Sequence, residues 1–267
     1  VIYHIIGYRK KVVMSNLLTA FPDKPEKERI KIMEEMYHQL IDTFLETIKF
    51  ISISEKEINK RFKCNREVVN DLYESGKNVQ MHGGHFFNWE FMNLAYCLNL
   101  KYAFIGVYQP LTNKIFNKIM QDMRTRFGTH LISASNFNRE FIKVSKGRYA
   151  LALVADQNSS NMHNAYWLPF FGKMAPFVTG PERTAVATDS AIVFATIYRT
   201  KRGYYQSDFS LYTTEPKSLR KGEITIALRD FLEEQIKLRP SSYLWTHKRW
   251  KHHYDAEKYK EMTLEEV

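Results

Sequence analysis

The sequence predicts a single α/β domain with a mostly parallel or mixed central sheet and helices on both faces. Two observations carry this. Between residues 78 and 154, apolar runs of strand length alternate with amphipathic stretches of helical length, the pattern of strands joined by crossover helices. The 267 residues are also 44% apolar and 14% aromatic, with only 11 Gly and 8 Pro, enough for one large hydrophobic core. No repeat, low-complexity tract or Pro/Gly/Ser linker divides the chain. It reads as one domain, 1–267, with a helical N-terminal region at 1–60 and a core at 76–251.

The elements follow in order. Asp23-Lys24-Pro25 opens a helix whose apolar residues Ile30, Met33, Tyr37, Leu40, Ile41, Phe44 and Ile48 recur on one face, out to about Ile51. Asn78 to His82 reads as a strand, followed by a Gly83-Gly84 turn and a helix from about Asn88 to Leu98. Tyr102 to Val107 is a strand, Asn113 to Arg126 a helix, and His130 to Ser133 a strand. Asn136 to Lys146 is a helix, and Tyr149 to Val154 (YALALV) a buried strand. Asp156 to Pro181 carries Asn, Ser, Gly and Pro among aromatics, so it reads as an irregular loop on the sheet's rim. A helix near Pro181 to Thr188, strands at Ala191 to Tyr198 and Tyr205 to Tyr212, a helix from about Gly222 to Leu238, and a basic aromatic tail complete the chain.

Lys plus Arg number 39 against 29 Asp plus Glu, a net charge of +10, which suits an acidic partner or an anionic surface. Cys64 and Cys97 are far apart and form no CxxC pair, which leaves no disulfide framework or cysteine zinc site and fits a reducing compartment. No run reaches the about 18–20 apolar residues of a transmembrane helix, so the chain reads as soluble or peripheral. It opens in mid-pattern at Val1 (VIYHIIG, 1–7), as though an upstream segment, such as a signal or membrane anchor, preceded it.

The sequence has no GxSxG elbow, GxxxxGK[ST] loop, GxGxxG fingerprint or HExxH pair, so serine hydrolase, P-loop, Rossmann and zincin chemistries lose their usual signals. What stands out is His85-Phe-Phe-Asn-Trp-Glu90, just after a strand and a Gly pair, where α/β proteins place reacting groups. A neutral imidazole can take a proton from a hydroxyl, and a carboxylate on its other nitrogen fixes the tautomer and stabilises the imidazolium. Spacing alone is weak. With nine histidines, about one accidental match is expected, and His252 with Glu257 supplies one in a charged segment that no strand or Gly turn precedes.

Other blocks sharpen the reading. His85-Phe86-Phe87-Asn88-Trp89-Glu90 resembles the H-x-G-N-W-E block of the lipid A late acyltransferases, the lauroyl/myristoyl family within the glycerolipid acyltransferases that share an H-x4-D/E motif. Asn16-Leu17 with Ala20-Phe21-Pro22, Val107-Tyr108-Gln109-Pro110, Met123 to Gly128 (MRTRFG), Asp156-Gln157, Phe170-Phe171-Gly172 and Tyr243 to Lys251 (YLWTHKRWK) are similar to further blocks of that family, in its order. Phe87 and Gln109 depart from it, standing where the family has Gly and Arg.

The resemblance implies a glycerolipid-acyltransferase-like fold with 76–251 as catalytic core. It also implies acyl transfer from an acyl-carrier-protein thioester to a hydroxyl of a lipid A precursor, at the cytoplasmic face of the inner membrane, with no cofactor and no metal. His85 would act as general base, with Glu90 polarising its ring. Donors for the oxyanion are the N–H groups of the Gly84-to-Asn88 turn and the Asn88 amide. Asp156 and Gln157 support the site or cap a loop. Arg126 and Arg124 are candidates to clamp a phosphate, or sit at a solvated helix end.

The tail residues Trp245, Lys248, Arg249, Trp250 and Lys251 have the composition of a membrane or headgroup contact. Another lipid, a lysophospholipid or an amino-acid lipid, is the alternative acceptor. A nucleic-acid-binding module shares the charge, but the sequence carries no RNP-like block, zinc-finger spacing or basic recognition helix, so nucleic acid is not among the expected partners.

Overall fold

Two helices open the chain in the computed structural model, which describes residues 8–159 and 161–264. The segment 1–7, on which the expectation of an upstream anchor rests, lies outside the described residues. The helices are α1 (Lys10–Ala20) and α2 (Glu26–Phe50). The second buries Met33, Tyr37 and Leu40 of the predicted stripe, together with Met36, but its C-terminal half departs from the prediction: Phe44 and Ile48 are exposed. Then come α3 (Glu55–Arg61), β1 (Phe62–Cys64) and α4 (Glu67–Glu74), three short elements in a stretch without a clear period.

The alternating segment forms as expected: β2 (Val79–Gly83), α5 (Trp89–Asn99), β3 (Ala103–Tyr108), α6 (Lys114–Thr125), β4 (His130–Ser133), α7 (Phe137–Val144) and β5 (Tyr149–Val154). After it come a hairpin of β6 (Ala165–Phe170) and β7 (Lys173–Val178), then α8 (Gly180–Thr188), β8 (Ala191–Lys201), β9 (Tyr204–Thr213) and α9 (Glu223–Leu238).

Seven strands form one sheet in the order β1-β9-β8-β2-β5-β3-β4. Every neighbouring pair is parallel except β8 with β9, so the sheet is mixed but mostly parallel. Both of its faces are covered. Phe104 and Ala150 belong to the main core, whereas their neighbours Ile105 and Leu151 join a second cluster with Phe141 of α7, as alternation across a pleat requires. Among the described residues, no helix is long and apolar enough to cross a membrane.

The structure corrects one expectation here: the span from Asp156 to Pro181 is not wholly irregular. Its second half is the β6–β7 hairpin, closed between Phe170 and Lys173 by Phe171 at φ +50° and Gly172 at φ +72°, a tight turn with both central residues left-handed. Five of the six residues of β6 are buried, so no polar alternation marks the strand, and Pro169 and Pro176 read as breakers.

Candidate active site

Strand register brings His85 and Asp156 together. Gly83 and Val154 are partners at the C-terminal ends of the parallel strands β2 and β5, and the ladder continues with Ala155 N–H donating to Gly83 O at 3.2 Å. Two residues past each strand stand His85 and Asp156. The His85 ring meets the Asp156 carboxylate at 2.6 Å from Nδ1 to Oδ1, and the His85 backbone N–H donates to Oδ2 at 3.1 Å. The chain can pass here because both preceding residues are glycine. A Cβ on Gly83 would lie 2.5 Å from the Ala195 carbonyl oxygen, and one on Gly84 would lie 2.7 Å from Leu232.

An ionised carboxylate only accepts, so the neutral ring donates Nδ1–H to Asp156 and keeps its lone pair on Nε2. Nε2 has no partner among the described residues, and His85 is half-buried at the wall of a cleft. Burial works to lower the His85 pKa, but the charge and hydrogen bond of Asp156, with a contribution from Glu90, outweigh it and raise the value. Burial likewise works to raise the Asp156 pKa, and the His85 charge and hydrogen bonds overcome this to hold it at about 2. Tyr243 acts on the same carboxylate.

Glu90, expected on the ring, is elsewhere. Its carboxylate receives the Arg124 guanidinium, Nε to Oε2 at 2.8 Å and Nη2 to Oε1, and Trp89 Nε1–H at 3.0 Å. The acid that orients the imidazole is Asp156, while Glu90 adds negative charge from a distance. Arg124 lines the cleft with its charge already matched. Arg126 is not among the lining residues; its guanidinium donates to Phe50 O at 2.6 Å and lies over the Phe127 ring.

Of the expected oxyanion donors, the Asn88 amide and the N–H groups of His85, Phe86 and Phe87 are engaged. The Asn88 side chain caps α5, accepting from the N–H groups of Glu90 and Phe91 at 3.1 Å each, and its amide donates to Glu46 at 2.8 Å. In the turn, His85 N–H binds Asp156, Phe86 N–H binds Gly84 O, and Phe87 N–H binds Ser242 O. Gln157 lines the cleft. Phe87, which stands where the family has Gly, is 1% exposed, packs on Trp89 at 5.4 Å and is not among the lining residues.

The cleft has a volume of about 1600 Å³ and lies along the C-terminal ends of the parallel strands, the usual place for a site in such sheets. Apolar side chains, Leu111, Phe137, Ile142 and Val186 among them, form much of its lining. Polar residues of the lining include His85, Gln157, Asn138 and Asn158, with the cations Arg124, Arg183, Arg220 and Lys221. No group of three or more His, Cys, Asp or Glu among the described residues could hold a metal ion.

This arrangement, a base oriented by a buried acid above an apolar cleft, suits proton abstraction from a hydroxyl beside a fatty chain. Comparison with known proteins gives the family. The family model for bacterial lipid A biosynthesis acyltransferases matches residues 1–252. The chain belongs to that family.

A lipid A biosynthesis acyltransferase of Haemophilus influenzae is 26% identical over 251 residues, covering 91% of this chain and 78% of its own. The lipid A biosynthesis palmitoleoyltransferase and lauroyltransferase of Escherichia coli are each 22% identical over 249 residues, covering 91% of this chain and 79% of theirs.

In this acyltransferase, the tail is mostly structural, correcting its reading as a membrane contact. Trp245 is 1% exposed, donates to Pro240 O at 2.6 Å and packs on Phe21 at 6.0 Å. Asn16 of α1 donates to the Trp245 and His247 carbonyls at 2.8 and 2.7 Å, so the N-terminal and C-terminal sequence blocks close on each other. Arg249 is 2% exposed between Phe170 and Phe177 and donates to Asn158 Oδ1 at 2.8 Å. Trp250 stacks on Phe170 and donates to Lys173 O. Only Lys248 and Lys251 of the five are exposed.

Two residues near the base escaped sequence reasoning. Tyr243 backs Asp156, and His247, whose pKa burial lowers to about 4, accepts Asn158 N–H at 3.3 Å. Both stand in the recognised C-terminal block, but nothing in its spacing says that it folds back beneath Asp156.

Proposed function

We propose that this acyltransferase moves a fatty acyl group from an acyl-carrier-protein thioester to a hydroxyl of a lipid A precursor, with His85 as general base. His85 Nε2 takes the hydroxyl proton as the oxygen attacks the thioester carbonyl, while Asp156 stabilises the imidazolium across Nδ1. The tetrahedral oxyanion then collapses, the C–S bond breaks, and the leaving thiolate recovers the proton from Nε2. Gln157 is the side chain best suited to donate to the oxyanion. Glu90 and Arg124 brace the start of α5 and the cleft wall.

The observation that carries this reading is the 2.6 Å Nδ1–Oδ1 contact, with Nε2 left unpaired on an apolar cleft. The family supports the lipid A acceptor, and the net charge of +10 suits an acidic carrier protein. A position on the cytoplasmic face of the inner membrane is supported by exposed apolar side chains beside the cleft, Leu111 and Ile142 in its lining and Ile115, Phe116 and Ile119 on α6. Lys248 and Lys251 suit headgroup contacts.

The test is acyl transfer by purified His85→Ala, with circular dichroism to verify folding. Turnover is expected to fall about 10²- to 10⁴-fold. Undiminished transfer by the folded variant overturns the base assignment. Equal kcat/KM with acyl-coenzyme A and acyl-carrier protein overturns the carrier-protein donor.

A further inference from the structure

We propose that Arg183, Arg220 and Lys221 form a subsite for a phosphomonoester at the rim of the His85 cleft. All three line that cleft and are exposed. The two arginines singled out from the sequence do not meet this need, since Glu90 matches Arg124 and Arg126 lies outside the lining.

Glu182 holds the cluster together. This carboxylate is 5% exposed, and it accepts Gly222 N–H at 2.6 Å on one oxygen and Thr225 N–H and Oγ1–H at 3.1 and 2.7 Å on the other. The start of α9 is thereby fastened to α8. Arg183 follows the anchoring acid, and Arg220 and Lys221 precede the anchored Gly222, so the same bonds draw the three cations to one stretch of rim. Gly222, at φ +91°, makes the turn that joins them to the helix.

Their charge is little compensated. Arg183 has no ion pair or hydrogen bond from its guanidinium among the described residues. Arg220 meets Glu223 at 3.6 Å with its own side chain 70% exposed, and the Glu223 oxygen also accepts the Arg220 backbone N–H at 3.0 Å. Lys221 lies over the Tyr166 ring at 5.8 Å from its centre. The acids lining the cleft, Glu90 and Glu182, are both engaged.

A phosphomonoester is the matching ligand. It carries nearly two negative charges and three acceptor oxygens, which guanidinium forks and an ammonium satisfy together. The subsite deepens the acyl-transfer reading, which supplies two sources for that group: a phosphate on the glycolipid acceptor, or the pantetheine phosphate of the donor.

The test compares wild type with an Arg183→Gln/Arg220→Gln/Lys221→Gln variant, whose changes lie on the surface. Calorimetric titration with octyl phosphate is expected to show binding at least about 10-fold weaker in the variant, with octyl glucoside binding unchanged. Equal octyl phosphate affinity in both proteins overturns the subsite, whatever the kinetics. The titration needs no turnover, so weakened binding in a protein that transfers no acyl group sustains the subsite and defeats the acyl-transfer reading instead. A KM raised for the phosphate-bearing acceptor, but not for its dephosphorylated form, assigns the group to the acceptor. A KM raised for acyl-carrier protein alone assigns it to pantetheine.

Discussion

Glu90 and Arg124 are joined by a two-toothed ion pair, each carboxylate oxygen receiving one guanidinium nitrogen, with side-chain exposures of 6% and 20%. The pair ties the first turn of α5 to the last turn of α6 beside the base. Removing one partner leaves the other charge poorly solvated and unmatched, which costs about 3 kcal/mol for pairs of this burial. Glu90→Gln is therefore expected to lower the urea midpoint, and a double-mutant cycle with Arg124→Gln should give a coupling above about 1 kcal/mol. Additive effects would show that the pair is not what stabilises this corner.

Asp156→Asn separates orientation from charge. The amide keeps the carboxylate's size but offers either a lone pair or an N–H to Nδ1, so the imidazolium loses its counter-charge. A fall in kcat of about 10²- to 10⁴-fold is expected, with KM little changed because Asp156 does not line the cleft. The base must be neutral, so kcat/KM rises with pH through the His85 pKa. Asp156 raises that pKa, and Asp156→Asn should move the rise to lower pH. An unmoved profile with full activity would falsify the orienting role.

The alternating strands and helices from β2 to β5 were legible because each carries its own period, and His85 was legible because a strand and two glycines precede it. Its partner was not. Asp156 is 71 residues away, and only the β2–β5 register joins the two, a relation that no local pattern contains. Glu90 had the right chemistry at the right spacing, yet a helix start beside Arg124 turned it to a different partner. Trp245 and Arg249 show the limit of composition: an aromatic-basic run suits a bilayer, but the same side chains suit a core when the Trp245 indole N–H finds Pro240 O and the Arg249 guanidinium lies against the Phe170 and Phe177 rings and donates to Asn158.

Asn88 serves structure twice, as the cap of α5 and as the donor to Glu46. Asn88→Ala leaves two helix N–H groups and a carboxylate without these partners, at a cost of about 1–2 kcal/mol. A lowered Tm with KM unchanged is expected. A raised KM at unaltered Tm would mean that the side chain contacts substrate after all.

Buried and half-buried histidines make opposed contributions to the pH dependence of stability. His82 in β2 is fully buried, and burial lowers its pKa from the usual 6.5 to about 3; burial likewise lowers that of His247 to about 4. Below pH 6.5 the unfolded chain takes up protons that these folded rings refuse, so their contribution, complete above 6.5, is lost as pH falls toward 4 and 3. For His85 the sign reverses. Its pKa is raised, so its contribution is complete below 6.5 and lost as pH rises through the folded value. The contribution of these three groups is therefore greatest near pH 6.5 and falls on either side of it, measurable as the urea midpoint between pH 4 and 8. His82→Phe should flatten the acid limb alone, and Asp156→Asn the alkaline limb; an acid limb equally steep in His82→Phe removes His82 from the account.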